Sequence, residues 1–266
     1  MRFLFAYLLA FISFSANAQA NIRNYLHFDG KDDYVSIIDT LKDQPQLKIR
    51  NNLTFDMWVM FDGFEKPMSL ISMGQFRSEN TRRQILYSLT VQADKSLVFE
   101  WETDEGNDVK ITSVPLDMEI DKWYYITVTR DVEKGVVSFF LNGEVKGTYN
   151  FSLQMQPKGG QIGHCTIGAK VTENGSVYFP FKGKLDHMRV WNVVLDNDKI
   201  KKYADRNFLG FEVELIANYW FADGKCNAEA NSKNTHLFDY TEHHNHGILV
   251  NFQLSGKESN WLCEVK

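Results

Sequence analysis

Three stretches of this 266-residue chain hold side chains able to do chemistry. In FEWETDEGND, Trp101 stands among Glu100, Glu102 and Asp104, with Tyr87 one strand earlier. A ring that stacks on the apolar face of a pyranose, beside carboxylates that accept from its hydroxyls, is the chemistry of sugar recognition. Gln92, Tyr124 and Arg130 are placed on the same sheet face. In FDGKDDY, Asp29, Asp32 and Asp33 crowd one turn, and Asp186 follows much later in GKLDHM. A hard cation such as calcium collects several oxygens at once, and a turn of carboxylates and carbonyls, faced by an aspartate on a neighbouring strand, supplies them. The competing reading is an ordinary polar turn, with Asp186 a hydrogen bonder at a sheet end. In TEHHNHG, His243, His244 and His246 fit no strong zinc spacing and read as a solvated loop. A glycine-rich phosphate loop and a nucleophile elbow are both missing from the sequence, so nucleotide chemistry and acyl transfer have no support.

The elements that must position these residues are strands. In DKWYYITVTRDVEKGVVSFFLNGEV, Trp123, Tyr125, Thr127 and Thr129 alternate with Tyr124, Ile126, Val128 and Arg130. Both faces are largely apolar or aromatic, which suits a strand in the middle of a sheet. The charged turn RDVEKG leads into a second strand, Val136 to Leu141, and Asn142-Gly143 tolerates the positive φ of a two-residue hairpin turn into a third. Similar short runs recur along the chain, and only LDNDKIKKYADRN reads as helical, with acidic residues at its start and Ile200 and Tyr203 on one face. Many strands, one helix and no βαβ alternation predict an all-β, two-sheet antiparallel sandwich of jelly-roll type. Trp58, Trp123, Trp191 and Trp220 lie in strongly apolar strands and are expected in its core.

The first twenty residues, MRFLFAYLLAFISFSANAQA, combine Arg2, an apolar run and small residues near a cleavage point, the layout of a secretory signal. The protein is therefore expected to be secreted, to the periplasm, the exterior or the cell surface. No other segment is apolar enough to be a transmembrane helix. The formal charge is −5, or −6 once Arg2 is removed, which argues against nucleic acid as a partner. Of three cysteines, Cys226 and Cys263 share the tail and are the expected disulfide, whereas Cys165 sits in a strand and reads as a small buried hydrophobe.

Taken in order, LHFDGKDDYVSI, LTFDMWVMF, the Trp-led meander, IGAK and FKGKLDHMRVWNVVLDNDKI resemble the laminin G-like jelly roll of the concanavalin A-like lectin and glucanase superfamily. The resemblance runs from about Asn24 to Asn207, and the tail is similar to a segment that accompanies this domain in secreted proteins of Bacteroidetes-type bacteria. It divides the chain into a leader over 1–20, a jelly roll over 21–210 and a C-terminal extension over 211–266 that packs on or continues the sandwich. It implies binding of carbohydrate or a cell-surface glycoconjugate, often with calcium, and in such a fold Asp29 and Asp186 would lie close enough to share the ion. A structural or adhesive protein that binds another surface protein is the alternative. Glucanases of this superfamily carry a Glu, an apolar residue, an Asp and a second Glu on one strand face. Here Glu102 occupies the middle position and the spacing to Glu105 changes parity, a slip that strand geometry does not tolerate. The chain is therefore expected not to be an enzyme, with glycoside hydrolysis the minor alternative.

Overall fold

The computed structural model describes residues 22–37, 47–75, 84–157, 164–205, 212–226 and 230–265; the expected leader lies outside them. In chain order the strands are β1 Ile22–Asp29, β2 Tyr34–Ile37, β3 Leu53–Phe61, β4 Met68–Gln75, β5 Gln84–Val91, β6 Leu97–Glu102, β7 Asp108–Thr112, β8 Trp123–Asp131 and β9 Val136–Leu141. There follow β10 Glu144–Asn150, β11 His164–Ile167, β12 Lys170–Val171, β13 Val177–Tyr178, β14 Lys182–Trp191, helix α1 Asn197–Tyr203, β15 Leu215–Tyr219, β16 His236–Leu237, β17 Gly247–Val250 and β18 Asn260–Val265.

Two antiparallel sheets face each other. The first is ordered β10-β9-β8-β3-β14-β1-β18, with β15 also paired to β14, and the second is ordered β16-β17-β2-β11-β4-β5-β6-β7. The Trp-led meander, β8 to β10, forms one side of the first sheet, with β8 between β9 and β3. Its tight turn follows from Asn142 and Gly143, which take φ of 54° and 78°. The Asn142 side chain also accepts from the Tyr125 amide at 2.9 Å, so the turn residue closes the ladder it interrupts. The tail contributes β15 and β18 to the first sheet and β16 and β17 to the second, so it is woven into both layers.

The inner faces bury Phe55, Tyr87, Phe99 and their neighbours in one continuous core. A smaller cluster lies on the outer face of the first sheet, where Ile200 and Tyr203 of α1 pack on Tyr125, Phe140 and Trp191. Asp196 caps that helix by accepting from the Lys199 amide at 2.8 Å, satisfying an amide that has no partner within the helix. Under the helix, Asp56 accepts from Arg189 Nε and from Trp191 Nε1, both at 2.6 Å. Cys226 and Cys263 are joined in a disulfide, and Cys165 is buried with its thiol pKa pushed up to about 12 by desolvation.

Candidate functional site

Strand alternation decides the fate of the residues proposed around FEWETDEGND. In β6, Leu97, Phe99 and Trp101 point into the core, whereas Glu100 and Glu102 point to the opposite face. Trp101 is only 1% exposed, packs edge-on against Phe151 at 4.9 Å, and donates from Nε1 to the Met155 carbonyl at 2.8 Å. It is a core residue and offers no platform. Tyr87 is buried, donating its hydroxyl to the Leu47 carbonyl at 2.8 Å. Arg130 is buried near Trp101 and spends its guanidinium on the carbonyls of Ile49 and Asn51. Tyr124 is in the core as well, and Gln92 lies on a turn.

The outer face that carries Glu100 is not open either. Lys170, at the base of the β12–β13 hairpin, reaches over it and pairs with Glu100, while Lys110 approaches the other carboxylate oxygen at 3.6 Å. Ser88, Ser72 and Thr166, in register with Glu100 across the sheet, are buried too, as is Glu102. Asp104 alone of the proposed set is exposed, on the β6–β7 turn.

The acidic turn forms, without Asp186. Asp29, Asp32 and Asp33 present carboxylate oxygens within 4.8 Å of one another. In β14, Lys182 is the residue opposite Asp29, so Asp186 lies four positions, roughly 13 Å, further along the strand. There it is buried and paired with Arg23 at 3.0 Å and with His187. Asp33 is tucked beneath the turn, accepting from the Asp29 amide and from the Ser259 hydroxyl, each at 2.9 Å. Burial, together with the neighbouring Asp29 and Asp32 charges, pushes its pKa up to about 6 against those hydrogen bonds.

A raised carboxyl pKa has a definite sign. The folded chain holds the Asp33 proton up to about pH 6, the unfolded chain only to about 4, so stability falls as pH rises through that interval and then levels off. With chelator present, a loss of about 1–2 kcal/mol is expected between pH 4 and 6.5, after allowance for solvent at the turn. Asp33→Asn keeps the bond from the Asp29 amide on its carboxamide oxygen, reverses the bond to the Ser259 hydroxyl by donating from its NH2, and abolishes this step. Urea unfolding against pH would contradict the assignment if the step survived in that variant.

The same turn walls a cleft of about 610 Å³ that sequence reading missed. Asp29 and Lys31 line one side, Glu65 and Lys66 of the β3–β4 loop another, and Phe179 and Lys182 the third. Gly30, at φ 78°, lets the turn sit against Lys182; a Cβ there would meet the Lys182 Cβ at 2.7 Å. Phe179 is 40% exposed and held at φ 51°, uncommon for a bulky residue, while its carbonyl accepts from the Ser69 amide at 2.8 Å. The signal for it was YFPF: Pro180 bars further sheet pairing there and leaves the preceding ring outside the ladder.

These strands, in this order, are those of a known family. A laminin G model described as concanavalin A-like lectin/glucanases superfamily matches residues 29–201, more than half of the chain. The chain belongs to that superfamily. No curated protein matches it. Among solved structures, a Bacteroides ovatus protein provisionally named as carbohydrate binding aligns with TM-score 0.59 and 18% identity over 92% of this chain. This superfamily member spans 60% of that protein's length. The CBM40 of a Ruminococcus gnavus IT-sialidase, bound to α2,3-sialyllactose, aligns with TM-score 0.52 and 17% identity, over 69% of this chain and 97% of its own. A heptameric SAP-like pentraxin from Limulus polyphemus aligns with TM-score 0.51 and 20% identity, over 70% and 84%. At these identities the likeness is one of fold.

Of the tryptophans expected in the core, Trp191 is buried, whereas Trp58, Trp123 and Trp220 are half-buried on the surface. The Arg23 guanidinium covers one face of Trp123 at 3.5 Å and lies 4.9 Å from the Trp58 ring, much as the Lys170 ammonium lies 5.2 Å from the Phe179 ring. His243, His244 and His246 sit on a turn, and among the described residues the acidic turn is the one group of three ligands placed to share an ion.

Proposed function

We propose that the protein is a secreted, non-catalytic carbohydrate-binding module, with the Phe179 cleft as its sugar site. The observation that carries this reading is the exposed Phe179 ring in a cleft with carboxylate and ammonium groups converging on it. A ring to stack on a pyranose face and charged groups to bond its hydroxyls are what a sugar requires, and about 610 Å³ accommodates a mono- or disaccharide. Superfamily membership and the carbohydrate-binding names of two neighbours support the same class. The Glu100 ion pairs and the burial of Glu102 favour a structural role for the acid pair over hydrolysis. A disulfide is typical of exported proteins, and no described helix is long and apolar enough to cross a membrane.

Calcium fits the donor chemistry of the turn. Three carboxylates that repel one another, one with a raised pKa, gain most from a divalent cation, and Asp29, Asp32 and Asp33 would hold it. Bound there, it would stiffen the turn that walls the cleft. Calcium is then expected to erase the pH step of Asp33 and raise the melting temperature of the native chain but not of Asp33→Asn.

The mature chain should bind selectively within a panel of neutral and acidic glycans, and Phe179→Ala should weaken that binding roughly tenfold or more at unchanged melting temperature. Wild-type affinity in Phe179→Ala would remove the cleft from the reading. No binding to any glycan would sink the reading itself and favour a surface-protein partner.

A further inference from the structure

The C-terminal segment, beyond the residues matched by the family model, carries a second array of rings. His236, Phe238 and Tyr240 face solvent along one extended stretch, while Leu237 and Asp239 between them are buried. Phe238 is 44% and Tyr240 46% exposed. Exposed apolar residues scattered singly need no explanation, but these rings are braced as a set. Tyr240 lies parallel to Trp220 at 4.4 Å, and Trp220 is backed in turn by His187 at 6.5 Å. Phe238 stacks with His236 at 6.1 Å and meets the edge of His246 at 5.1 Å.

Polar groups are interleaved with the rings. The Asp223 carboxylate accepts from the Tyr240 hydroxyl at 2.8 Å and from the Phe238 amide at 3.1 Å, fixing both residues to one anchor. His246 Nδ1 accepts from the Asp239 amide at 3.0 Å, so its proton sits on Nε2, a donor beside Phe238. A row one ring wide, with rings roughly 7 Å apart at alternate positions of an extended chain and hydrogen-bonding groups at its flank, suits a linear ligand with apolar faces and polar edges. A broad apolar protein patch would not need the interleaved donor and acceptor.

We propose that Phe238 and Tyr240, with Asp223 and His246 beside them, form a second carbohydrate-binding site that stacks successive pyranose rings of a glycan chain. The inference rests on the carbohydrate reading of the protein but uses no residue of the Phe179 cleft. With two sites on one rigid module, a long chain that engages both gains avidity that a short oligosaccharide does not.

The test is affinity electrophoresis of the mature chain in gels containing a soluble β-glucan, a galactan or a sialylated mucin, with the difference in tryptophan fluorescence between the native chain and Trp220→Phe as a local reporter. Phe238→Ala and Tyr240→Ala should each weaken retardation roughly tenfold, Tyr240→Phe should retain most of it, and ligand should change Trp220 emission. Tyr240→Ala alone should cost more on polysaccharide than on its oligosaccharides, because removing either site ends the avidity. Wild-type binding by both Phe238→Ala and Tyr240→Ala overturns the second site and leaves the cleft standing. Loss in those two variants with none in Phe179→Ala upholds the second site and overturns the cleft. If the unaltered chain binds none of the three polymers, both fall.

Discussion

Replacing Asp56 by alanine is expected to lower stability by about 3–5 kcal/mol, enough to reduce the melting temperature by about 10 °C or more. Asp56 is fully buried between the first sheet and α1, with one oxygen on Arg189 and the other on Trp191. Truncating it leaves a guanidinium inside the protein without its counter-charge and an indole N–H without its acceptor. Arg189 also donates to the carbonyl of Tyr203, and Trp191 stacks on the Tyr203 ring at 4.9 Å, so the loss propagates to the helix. The large cost belongs to the broken pair and not to the pair as such. Asp56→Leu combined with Arg189→Met should recover part of the stability, because it removes the buried unpaired charge, while the Trp191 N–H and the Tyr203 carbonyl still lack their partners. Urea denaturation of the three proteins checks this; a loss below about 1 kcal/mol for Asp56→Ala would mean that water reaches the pair.

Opening the disulfide is the second large effect. Cys226 and Cys263 are 37 positions apart in sequence, with Cα atoms 5.1 Å apart. Releasing that loop in the unfolded state corresponds to about 3–4 kcal/mol on the chain-entropy account. Reduction, or Cys226→Ser with Cys263→Ser, should shift the urea midpoint accordingly. Thiol titration in denaturant should give one thiol before reduction, from Cys165, and three after. An unchanged midpoint with three titrated thiols would show that the tail holds its place through strand pairing alone.

Much of the sandwich was legible from local chemistry. Asn142-Gly143 specified a hairpin, Asp196 a helix start, and the alternation in β8 a central strand, because each depends on residues within a few positions. The same alternation should have separated Trp101 from Glu100 and Glu102, since adjacent residues of a strand cannot share a face. What strand period does not reveal is which face something else covers. Lys170 closes the face of Glu100 from a hairpin about seventy residues later, and Arg23 covers Trp58 and Trp123 from the first strand. The separation of Asp29 from Asp186 was a question of register along β1 and β14, which depends on the whole sheet. Phe179 escaped notice because its exposure follows from its positive φ just past the two-residue β13, and a short Tyr-Phe-Pro run has no periodicity to read.

The pairing of β1 with β18 sets Ile22 opposite Val265 and Asn24 opposite Cys263. Ile22 and Val265 therefore meet at one corner of the fold, and tension applied between them would peel these two strands apart one rung at a time. The disulfide diverts such a pull. Load entering β18 from its C-terminal end crosses at Cys263 to Cys226, so the segment between them, with Phe238 and Tyr240, carries no mechanical strain while the rungs give way.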